Sequence, residues 1–241
     1  MKYAVVTGAD RGLGYAMTVR LLDAGYAVFA GSYLADWPAL HQLQDERGGR
    51  LVVLPLDISS GSSVSEAAAR IAERTGRLDL LVNNAGIAGD HAGQIFGDID
   101  YEKIEQIYRV NAMGPLRVTQ ALGALLLQGE DKLVVNISSE AGQINQTWRE
   151  GWYGYCMSKA ALNIQSNILH NQLRKHGGKV LVIHPGWMQS YMSGKLNEKA
   201  AITSDEASAG IMNVITGYLA ETNEREHPAF RDYAGSEMSW T

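Results

Sequence analysis

The sequence predicts an α/β fold built on a doubly wound, mostly parallel sheet with helices on both faces. Short apolar segments rich in Val, Leu and Ile alternate with longer amphipathic segments. The apolar segments lack polar alternation, as expected of strands that are buried on both faces. Strands and helices that alternate in this way imply parallel strands joined by right-handed crossovers. We therefore expect ligand-binding residues directly after the strands, at their carboxyl ends.

The elements can be assigned in order from the first residues of the chain onward. The candidate strands are Tyr3–Thr7, Ala27–Gly31, Leu51–Leu56, Leu78–Val82, Leu133–Ile137 and Val180–His184. The candidate helices are Gly14–Ala24, Pro38–Arg47, Ser62–Arg74, Tyr101–Leu127, Tyr155–His176 and Ser204–Thr222. The stretches Gln143–Gly154 and Gln189–Ala201 lack clear periodicity; they are loops that decide what binds, or else plain surface connections. No linker or internal repeat interrupts the chain, so we expect one domain over residues 1–241.

Composition narrows the function classes before any motif is considered. The 241 residues carry 21 Lys plus Arg and 26 Asp plus Glu, a net charge of −5, and this mild acidity argues against nucleic-acid binding. A single Cys excludes a disulfide framework and a multi-cysteine zinc site, and the six His residues form no close pair, so we expect no metal. No apolar run approaches the ~18 residues that a membrane span needs. Because Thr7-Gly8 follows the first apolar residues too soon for a signal peptide, we expect a cytoplasmic protein.

A glycine-rich turn, Thr7-Gly8-Ala9-Asp10-Arg11-Gly12-Leu13-Gly14, follows the first strand. Its three glycines allow a tight turn and a close approach of the backbone to a pyrophosphate. The helix that follows offers free N–H groups to the phosphates. The motif predicts a dinucleotide site, and the ordinary alternative is a strand-to-helix turn without a ligand.

The end of the second strand bears on which dinucleotide is bound. Ser32 and Tyr33 stand where an enzyme that prefers NAD usually has Asp or Glu for the ribose 2′-hydroxyl. No carboxylate at this strand end therefore repels a 2′-phosphate, and the guanidinium of Arg11 could pair with it. The alternative for Arg11 is a solvated surface side chain. We expect NADP to be preferred, with NAD possible.

Tyr155 and Lys159 open the longest amphipathic helix. They are four residues apart, so they share a helix face, although such pairs also occur by chance on solvated faces. A neighbouring ammonium lowers the pKa of a phenol from about 10 toward the working pH of an acid–base catalyst. Ser138 and Ser139, directly after the fifth strand, either face the ligand crevice or cap a turn.

Two segments that contain asparagine add to this pattern. Val82-Asn83-Asn84-Ala85-Gly86 ends the fourth strand. Asn111 lies in the middle of a predicted helix, shortly before Gly114 and Pro115. Asn, Gly and Pro are poor choices inside a helix, so we expect a local break there.

Together these motifs resemble those of the short-chain dehydrogenase/reductase family, in its compact, carbonyl-reductase-like form, over essentially the whole chain. The matching positions are Thr7–Gly14, Asp57 after the third strand, Asn83–Gly86, Asn111, Ser139, Tyr155, Lys159 and Pro185-Gly186 after the sixth strand. The resemblance implies a seven-stranded Rossmann sheet, and the ending Phe230–Trp240 resembles the family's final strand. It also implies hydride transfer between a nicotinamide and a carbonyl or alcohol carbon.

The resemblance further implies a role for individual residues. Tyr155 would be the general acid and base, and Lys159 would lower the Tyr155 pKa and bind the nicotinamide ribose. Ser139 would position the substrate oxygen, and Asn111 would hold a water that passes protons to Lys159. The implied cofactor-binding residues are Gly8, Arg11, Gly12, Leu13, Gly14, Ser32, Tyr33, Asp57, Ile58, Asn84, Ala85, Gly86, Tyr155, Lys159, Pro185, Gly186, Met188 and Ser190.

The chain departs from the family pattern near the expected substrate pocket. The step from Ser139 to Tyr155 is 16 residues, a little longer than is common in the family, and Met188 and Ser190 replace a usual Val and Thr. The loops expected to cover the substrate carry Trp148, Trp152, Tyr153, Trp187, Met188 and Met192. These residues indicate a substrate with an apolar or aromatic body, or else they pack the loop or a subunit interface.

The resemblance also implies an assembly and leaves other function classes open. Long helices in this family commonly build a homodimer or homotetramer. A dehydratase or epimerase could use the same Tyr155 and Lys159 pair, but those relatives usually have longer chains. The remaining alternative is a dinucleotide-binding regulatory or signalling protein with little turnover.

Overall fold

The computed structural model describes residues 1–34, 37–89, 94–192, 194–222 and 225–241. The described strands are β1 Tyr3–Val6, β2 Ala27–Ser32, β3 Leu51–Pro55, β4 Leu80–Asn83, β5 Leu133–Ile137, β6 Lys179–His184 and β7 Ala229–Asp232. Within the described residues these seven strands form one sheet in the order β3-β2-β1-β4-β5-β6-β7. Each pair of neighbours is parallel. The predicted parallel α/β sheet is confirmed.

The helices lie in two layers that cover the two faces of this sheet. They are α1 Gly12–Asp23, α2 Pro38–Arg47, α3 Gly61–Ala72, α4 Tyr101–Tyr108, α5 Gly114–Leu127, α6 Tyr153–Leu173 and α7 Ser204–Ala220. On one face α1 packs against α7, beside α2; on the other α3 packs against α5, and α4 against α6. No helix in the described ranges is long and apolar enough to cross a membrane.

Each central strand contributes side chains to both layers. Val6 of β1 belongs to the cluster beneath α1 and α7, whereas its neighbour Val5 belongs to the cluster beneath α3 and α5. Both side chains are almost fully buried. Because successive side chains of a strand point to opposite faces, a strand covered on both faces is apolar at most positions. This explains the continuous apolar runs of the sequence.

The predicted helix Tyr101–Leu127 is interrupted, as the expected local break requires. A wider, π-helical turn covers Arg109–Met113 and separates α4 from α5. Gly114 then lets α5 approach the segment after β3, since a Cβ at this position would lie only 2.6 Å from Cδ1 of Ile58. Single π-helical turns of this kind occur frequently at functional sites. The interruption buries Asn111, which lies within the wide turn.

Most other predicted boundaries differ from the observed ones by one to three residues. The clearest difference is α6, which begins at Tyr153 rather than Tyr155 and so takes in the end of the predicted loop Gln143–Gly154. The order of the strands places β1 beside β4, although two strands separate them in sequence. Where the order of the strands reverses in this way, a ligand crevice opens at the carboxyl ends of the two strands.

Candidate active site

A cleft of about 1530 Å³ lies at the carboxyl ends of the strands. Most of the residues predicted for cofactor binding and catalysis line it. These are Gly8, Arg11, Gly12, Leu13, Gly14, Tyr33, Asp57, Ile58, Asn84, Ala85, Gly86, Ser139, Tyr155, Lys159, Pro185, Gly186, Met188 and Ser190. Ser32 and Asn111, also predicted for the site, lie behind the cleft wall, as described below.

The glycine-rich turn is held tightly against the end of β4. Gly8 has a φ of +62°, a backbone conformation that favours glycine. The Asn84 side-chain amide donates to the carbonyls of Thr7 at 2.9 Å and Gly8 at 3.1 Å. A Cβ on Gly14 would collide with the Gly8 carbonyl and lie 2.5 Å from Nδ2 of Asn84. Since no side chain caps the start of α1, its first N–H groups are available for a phosphate group.

Asp10, which the sequence analysis did not single out, organises the end of β2. Its carboxylate is almost fully buried. It accepts hydrogen bonds from the Ser32 hydroxyl at 2.5 Å, from the Tyr33 N–H at 3.1 Å and from the Leu34 N–H at 2.9 Å. Ser32 therefore donates to Asp10 rather than lining the cleft. The expectation that no carboxylate stands at this strand end is wrong, because the turn after β1 brings the Asp10 carboxylate to it. The sequence held one signal for this role. An aspartate inside a turn that is expected to bind phosphate must have hydrogen-bond donors of its own nearby.

Arg11 is held between two aromatic rings. Its guanidinium carbon lies 5.0 Å from the ring centre of Trp37 and 4.7 Å from that of Tyr191. The two rings also meet edge to face, with centres 5.5 Å apart. Cation–π contacts of this kind restrict an arginine, so Arg11 is a positioned cation at the cleft rather than a free surface side chain.

Tyr155 and Lys159 lie together at the floor of the cleft. The Tyr155 hydroxyl is hydrogen-bonded to the Ser139 side chain, and burial raises the Tyr155 pKa to about 12. Lys159 Nζ lies 5.7 Å from the centre of the Tyr155 ring and donates to the carbonyl of Ile137 at 2.8 Å. Burial lowers the Lys159 pKa to about 8. Desolvation of the phenolate is thus the largest effect on the Tyr155 pKa in this structure, and the lowering of that pKa by Lys159 stays a prediction.

The two serines after β5 point to different partners. The Ser138 hydroxyl donates to Oδ1 of Asn163 at 2.6 Å, inside the protein. Ser139 donates to Oε2 of Glu140 at 2.7 Å and accepts from the N–H of Ala141 at 3.1 Å. Of the two serines, only Ser139 interacts with the Tyr155 hydroxyl. Ser139 is also the serine that the family resemblance selected as the catalytic one.

Asn111 lies just behind the cleft wall. Its Nδ2 donates to the Ile87 carbonyl at 2.8 Å and its Oδ1 accepts from the Ile87 N–H at 2.8 Å. It also contacts Ser158 Oγ at 3.1 Å. A Cβ on Gly86 would lie 3.3 Å from Asn111 Oδ1 and 3.8 Å from Lys159 Nζ. Asn111 therefore joins the π-helical turn to the segment after β4, close to Lys159.

A charged cluster that the sequence analysis missed adjoins Ser139. Glu140 Oε1 lies 3.0 Å from Nη2 of Arg149, and Glu140 Oε2 lies 3.2 Å from Nδ1 of His184 at the end of β6. Burial lowers the His184 pKa. The position of Glu140 directly after Ser139 was the only local signal, because Arg149 and His184 are distant in sequence.

Aromatic and sulfur-containing side chains surround the mouth of the cleft. Trp152 meets the Tyr155 ring edge to face, with centres 5.7 Å apart. Trp148 and Trp187 are largely exposed, and both line the cleft together with Met188 and Met192. Tyr153, also predicted to cover the substrate, does not line the cleft among the described residues.

Comparison with known proteins places this geometry in context. The family model described as short chain dehydrogenase matches residues 2–201. The 1-hydroxy-2-glutathionyl-2-methyl-3-butene dehydrogenase of Rhodococcus sp. (strain AD45) is 30% identical over 243 residues, which cover 100% of each chain. The C-signal of Myxococcus xanthus is 37% identical over 166 residues, 69% of this chain and 95% of the relative.

Solved structures resemble the chain over its full length. The NADPH-bound carbonyl reductase from chicken fatty liver has a TM-score of 0.86 and 31% identity, with 100% of this chain and 99% of that chain covered. A carbonyl reductase from Pseudomonas aeruginosa PAO1 has a TM-score of 0.82 and 28% identity, with full coverage of both chains. The family match, the parallel sheet and the cleft that joins a glycine-rich turn to Ser139, Tyr155 and Lys159 all agree: the chain belongs to the short-chain dehydrogenase family of NAD(P)-dependent oxidoreductases.

Proposed function

We propose that the protein is an NADPH-dependent carbonyl reductase in which Tyr155 is the general acid. The observation that carries this proposal is that the Ser139, Tyr155 and Lys159 side chains line the same cleft as the glycine-rich turn, with Ser139 close enough to the Tyr155 phenol to lower its pKa. Two hydroxyls that meet in this way can both reach one substrate oxygen. The similar carbonyl reductases from chicken fatty liver and Pseudomonas aeruginosa support the choice of reaction.

The glycine-rich turn fits a dinucleotide. A Cβ on Gly14 would clash with the Gly8 carbonyl and with Asn84, so glycine at this position lets the turn pack closely against the start of α1, as in a dinucleotide-binding turn. The uncapped start of α1 faces the same cleft and suits a pyrophosphate. Arg11, fixed by Trp37 and Tyr191, is the cation that we assign to the 2′-phosphate of NADP. When bound, the nicotinamide supplies the hydride for reduction.

The side chains of the cleft supply the proton and hold the reacting oxygen. Tyr155 donates its proton to the carbonyl oxygen as the new C–H bond forms, so the C=O π pair becomes the O–H bond of an alcohol. Ser139 binds the same oxygen and fixes its position. The ammonium of Lys159, 5.7 Å from the phenol ring, favours the phenolate that Tyr155 leaves behind. Asn111 supports this step by holding the backbone of Ile87 close to Lys159. We also propose that Asn111 holds a water molecule that passes protons to Lys159.

The rim of the cleft indicates the kind of substrate. Trp148 and Trp187 expose large apolar surfaces at the mouth, and sites for small molecules are lined mainly by apolar side chains. We therefore propose a substrate with an apolar or aromatic body beside its carbonyl. Exposed apolar side chains on α5 and α6, namely Leu116, Ile164 and Ile168, support assembly into a homodimer or homotetramer through these helices.

The test is to follow NADPH and NADH oxidation optically against a panel of aldehydes, ketones and quinones. Tyr155→Phe should lower kcat by at least about 100-fold, the usual scale of general acid catalysis, while cofactor binding measured by fluorescence is kept. Faster reduction with NADPH than with NADH would support the role of Arg11. Full activity of Tyr155→Phe would overturn the proposal.

One relative favours a second candidate function. The protein from Myxococcus xanthus is named C-signal rather than for a reaction. A dinucleotide-binding signalling protein would bind the cofactor yet turn over no carbonyl on a wide panel. The same assay separates the two candidates, because cofactor binding without turnover would favour signalling.

A further inference from the structure

The hydroxyl proton of Ser139 already has a hydrogen-bond acceptor in this structure. A serine hydroxyl has one proton to donate and two lone pairs that accept. Ser139 donates a hydrogen bond to Oε2 of Glu140 at 2.7 Å and accepts one from the N–H of Ala141 at 3.1 Å. With its proton directed at Glu140, Ser139 offers the Tyr155 phenol a lone pair rather than a proton.

This arrangement conflicts with what the reaction requires of Ser139. A carbonyl oxygen accepts hydrogen bonds but donates none. Ser139 can therefore bind it only by donating the hydroxyl proton that now points to Glu140. The phenolate left on Tyr155 after proton transfer also needs that proton. Glu140 thus competes with both the substrate oxygen and the phenolate for the same hydrogen bond.

Arg149 limits the strength of this competition. Its guanidinium pairs with the other carboxylate oxygen of Glu140 at 3.0 Å. Gln146 fixes Arg149 in turn, since the Arg149 Nε donates to Gln146 Oε1 at 2.6 Å and the Gln146 side chain also donates to the backbone carbonyl of Glu140. The guanidinium lies 4.3 Å from the ring centre of Trp148. The loop is therefore built to hold a cation against this carboxylate.

We propose that Glu140 and Arg149 are a positioning pair for Ser139: the carboxylate accepts the hydrogen bond of the serine hydroxyl in the free enzyme, and the guanidinium weakens this hydrogen bond so that the hydroxyl can turn and donate to the substrate oxygen instead. This inference rests on the proposed function, because it takes Ser139 and Tyr155 as catalytic residues. Neither Glu140 nor Arg149 touches the reacting atoms in this scheme. They act through the direction of one hydroxyl and through their charges.

The charges around Tyr155 come from four parts of the fold. Glu140 and Arg149 face it from the segment after β5, and Cys156 and Lys159 from α6 itself. His184, at the end of β6, contacts Glu140 and is itself faced by Asp232 of β7. Glu140 and Arg149 act on the phenol in opposite directions: the carboxylate raises the Tyr155 pKa and the guanidinium lowers it.

The pair can be tested by the pH dependence of alcohol oxidation, which needs the phenolate and so rises with pH to a midpoint. Glu140→Gln removes the negative charge and leaves Ser139 a weaker, neutral acceptor, so the midpoint should fall by at least about half a pH unit. Arg149→Gln removes the positive charge and leaves Glu140 with a stronger hold, so the midpoint should rise by a similar amount. The double variant should lie between the two single variants.

Opposite shifts distinguish this role from simple support of the loop. A structural role would change kcat or the melting temperature of both variants without moving the two midpoints apart, and that result would overturn the inference. Glu150→Gln is the matched control, a carboxylate of the same loop without a described contact to Ser139, and its midpoint should equal that of the wild type. If Glu140→Gln fails to fold, the pH midpoint of Arg149→Gln still tests the inference: a midpoint above that of the wild type supports it, and an unchanged midpoint overturns it.

Failure of the inference and failure of the proposed function give different results. If Tyr155→Phe keeps full activity, the proposed function fails. If Tyr155→Phe is inactive and the Glu140→Gln and Arg149→Gln midpoints coincide, the proposed function stands and only the positioning role is overturned.

Discussion

The ammonium of Lys159 lies 5.7 Å from the centre of the Tyr155 ring and donates to the backbone carbonyl of Ile137 at the end of β5. Burial acts on both groups in favour of their neutral forms, since it raises the Tyr155 pKa to about 12 and lowers the Lys159 pKa to about 8. Each charge is costly alone, but a phenolate and an ammonium formed side by side offset one another. Below a pH of about 8 Lys159 is already an ammonium, so its charge offsets the single negative charge that proton donation to the substrate leaves on Tyr155.

Lys159 should make the stability of the cofactor-free protein depend on pH. Its folded pKa of about 8 lies below the ordinary value of 10.5, so between these values the unfolded chain binds a proton that the folded protein has lost. The free energy of unfolding should therefore rise with pH across this window, by an amount on the order of 3 kcal/mol at its upper end.

The Lys159→Met variant is the matched comparison, because it keeps the bulk of the side chain and removes its titration. Urea unfolding of both proteins between pH 7 and pH 10.5 measures the difference. The other titrating groups are present in both proteins, so the difference between the two profiles reports Lys159 together with its coupling to Tyr155. Parallel pH profiles for the two proteins would contradict the expected shift.

Gly14 should tolerate no side chain. A Cβ there would collide with the Gly8 carbonyl and Nδ2 of Asn84, so Gly14→Ala must displace the turn. We expect the loss of cofactor binding, measured by quenching of protein fluorescence, and a lower melting temperature. Gly61→Ala, at the start of α3 with no atom within 4 Å of the added carbon, should be neutral or stabilising by up to about 1 kcal/mol. Similar effects of the two substitutions would argue against the close approach at Gly14.

Arg11 should determine the preference between the two dinucleotides. Arg11→Gln removes the guanidinium that Trp37 and Tyr191 hold at the cleft. We expect kcat/KM with NADPH to fall by about 10-fold or more, as for the loss of a charge-assisted hydrogen bond to phosphate, with little change for NADH. Equal losses with both cofactors would assign Arg11 to the turn itself rather than to the 2′-phosphate.

Asn111 should contribute to both stability and activity. Asn111→Ala would leave the N–H and the carbonyl of Ile87 without their present partner. Loss of such buried hydrogen bonds costs about 1–3 kcal/mol, which urea unfolding would detect, and kcat should fall because Lys159 lies nearby. Asn171→Ala, on the exposed side of α6, should change neither quantity. A stable Asn111→Ala protein with normal turnover would exclude both roles.

The fold and the main motifs could be predicted because their signals are local. Continuous apolar runs predicted strands such as β1 and β5 that are buried on both faces, and the poor helix residues near Asn111 predicted the break between α4 and α5. The spacing of Tyr155 and Lys159 placed both on one face of α6. Helix caps and turn residues act within a few positions, so helix and strand ends were predicted to within about three residues.

Long-range pairings were decided only by the tertiary structure. Asp10 meets Ser32 because β1 and β2 are neighbours in the sheet, and Arg11 reaches Tyr191 across the cleft, 180 positions away in sequence. Glu140 meets His184 because β5 and β6 end side by side. The residue types and their spacing determined that this chain folds as a dinucleotide-binding α/β domain with a Ser, Tyr and Lys constellation. The order of the strands decided which charges surround that constellation, because side chains from distant segments interact only where the sheet brings their strand ends together.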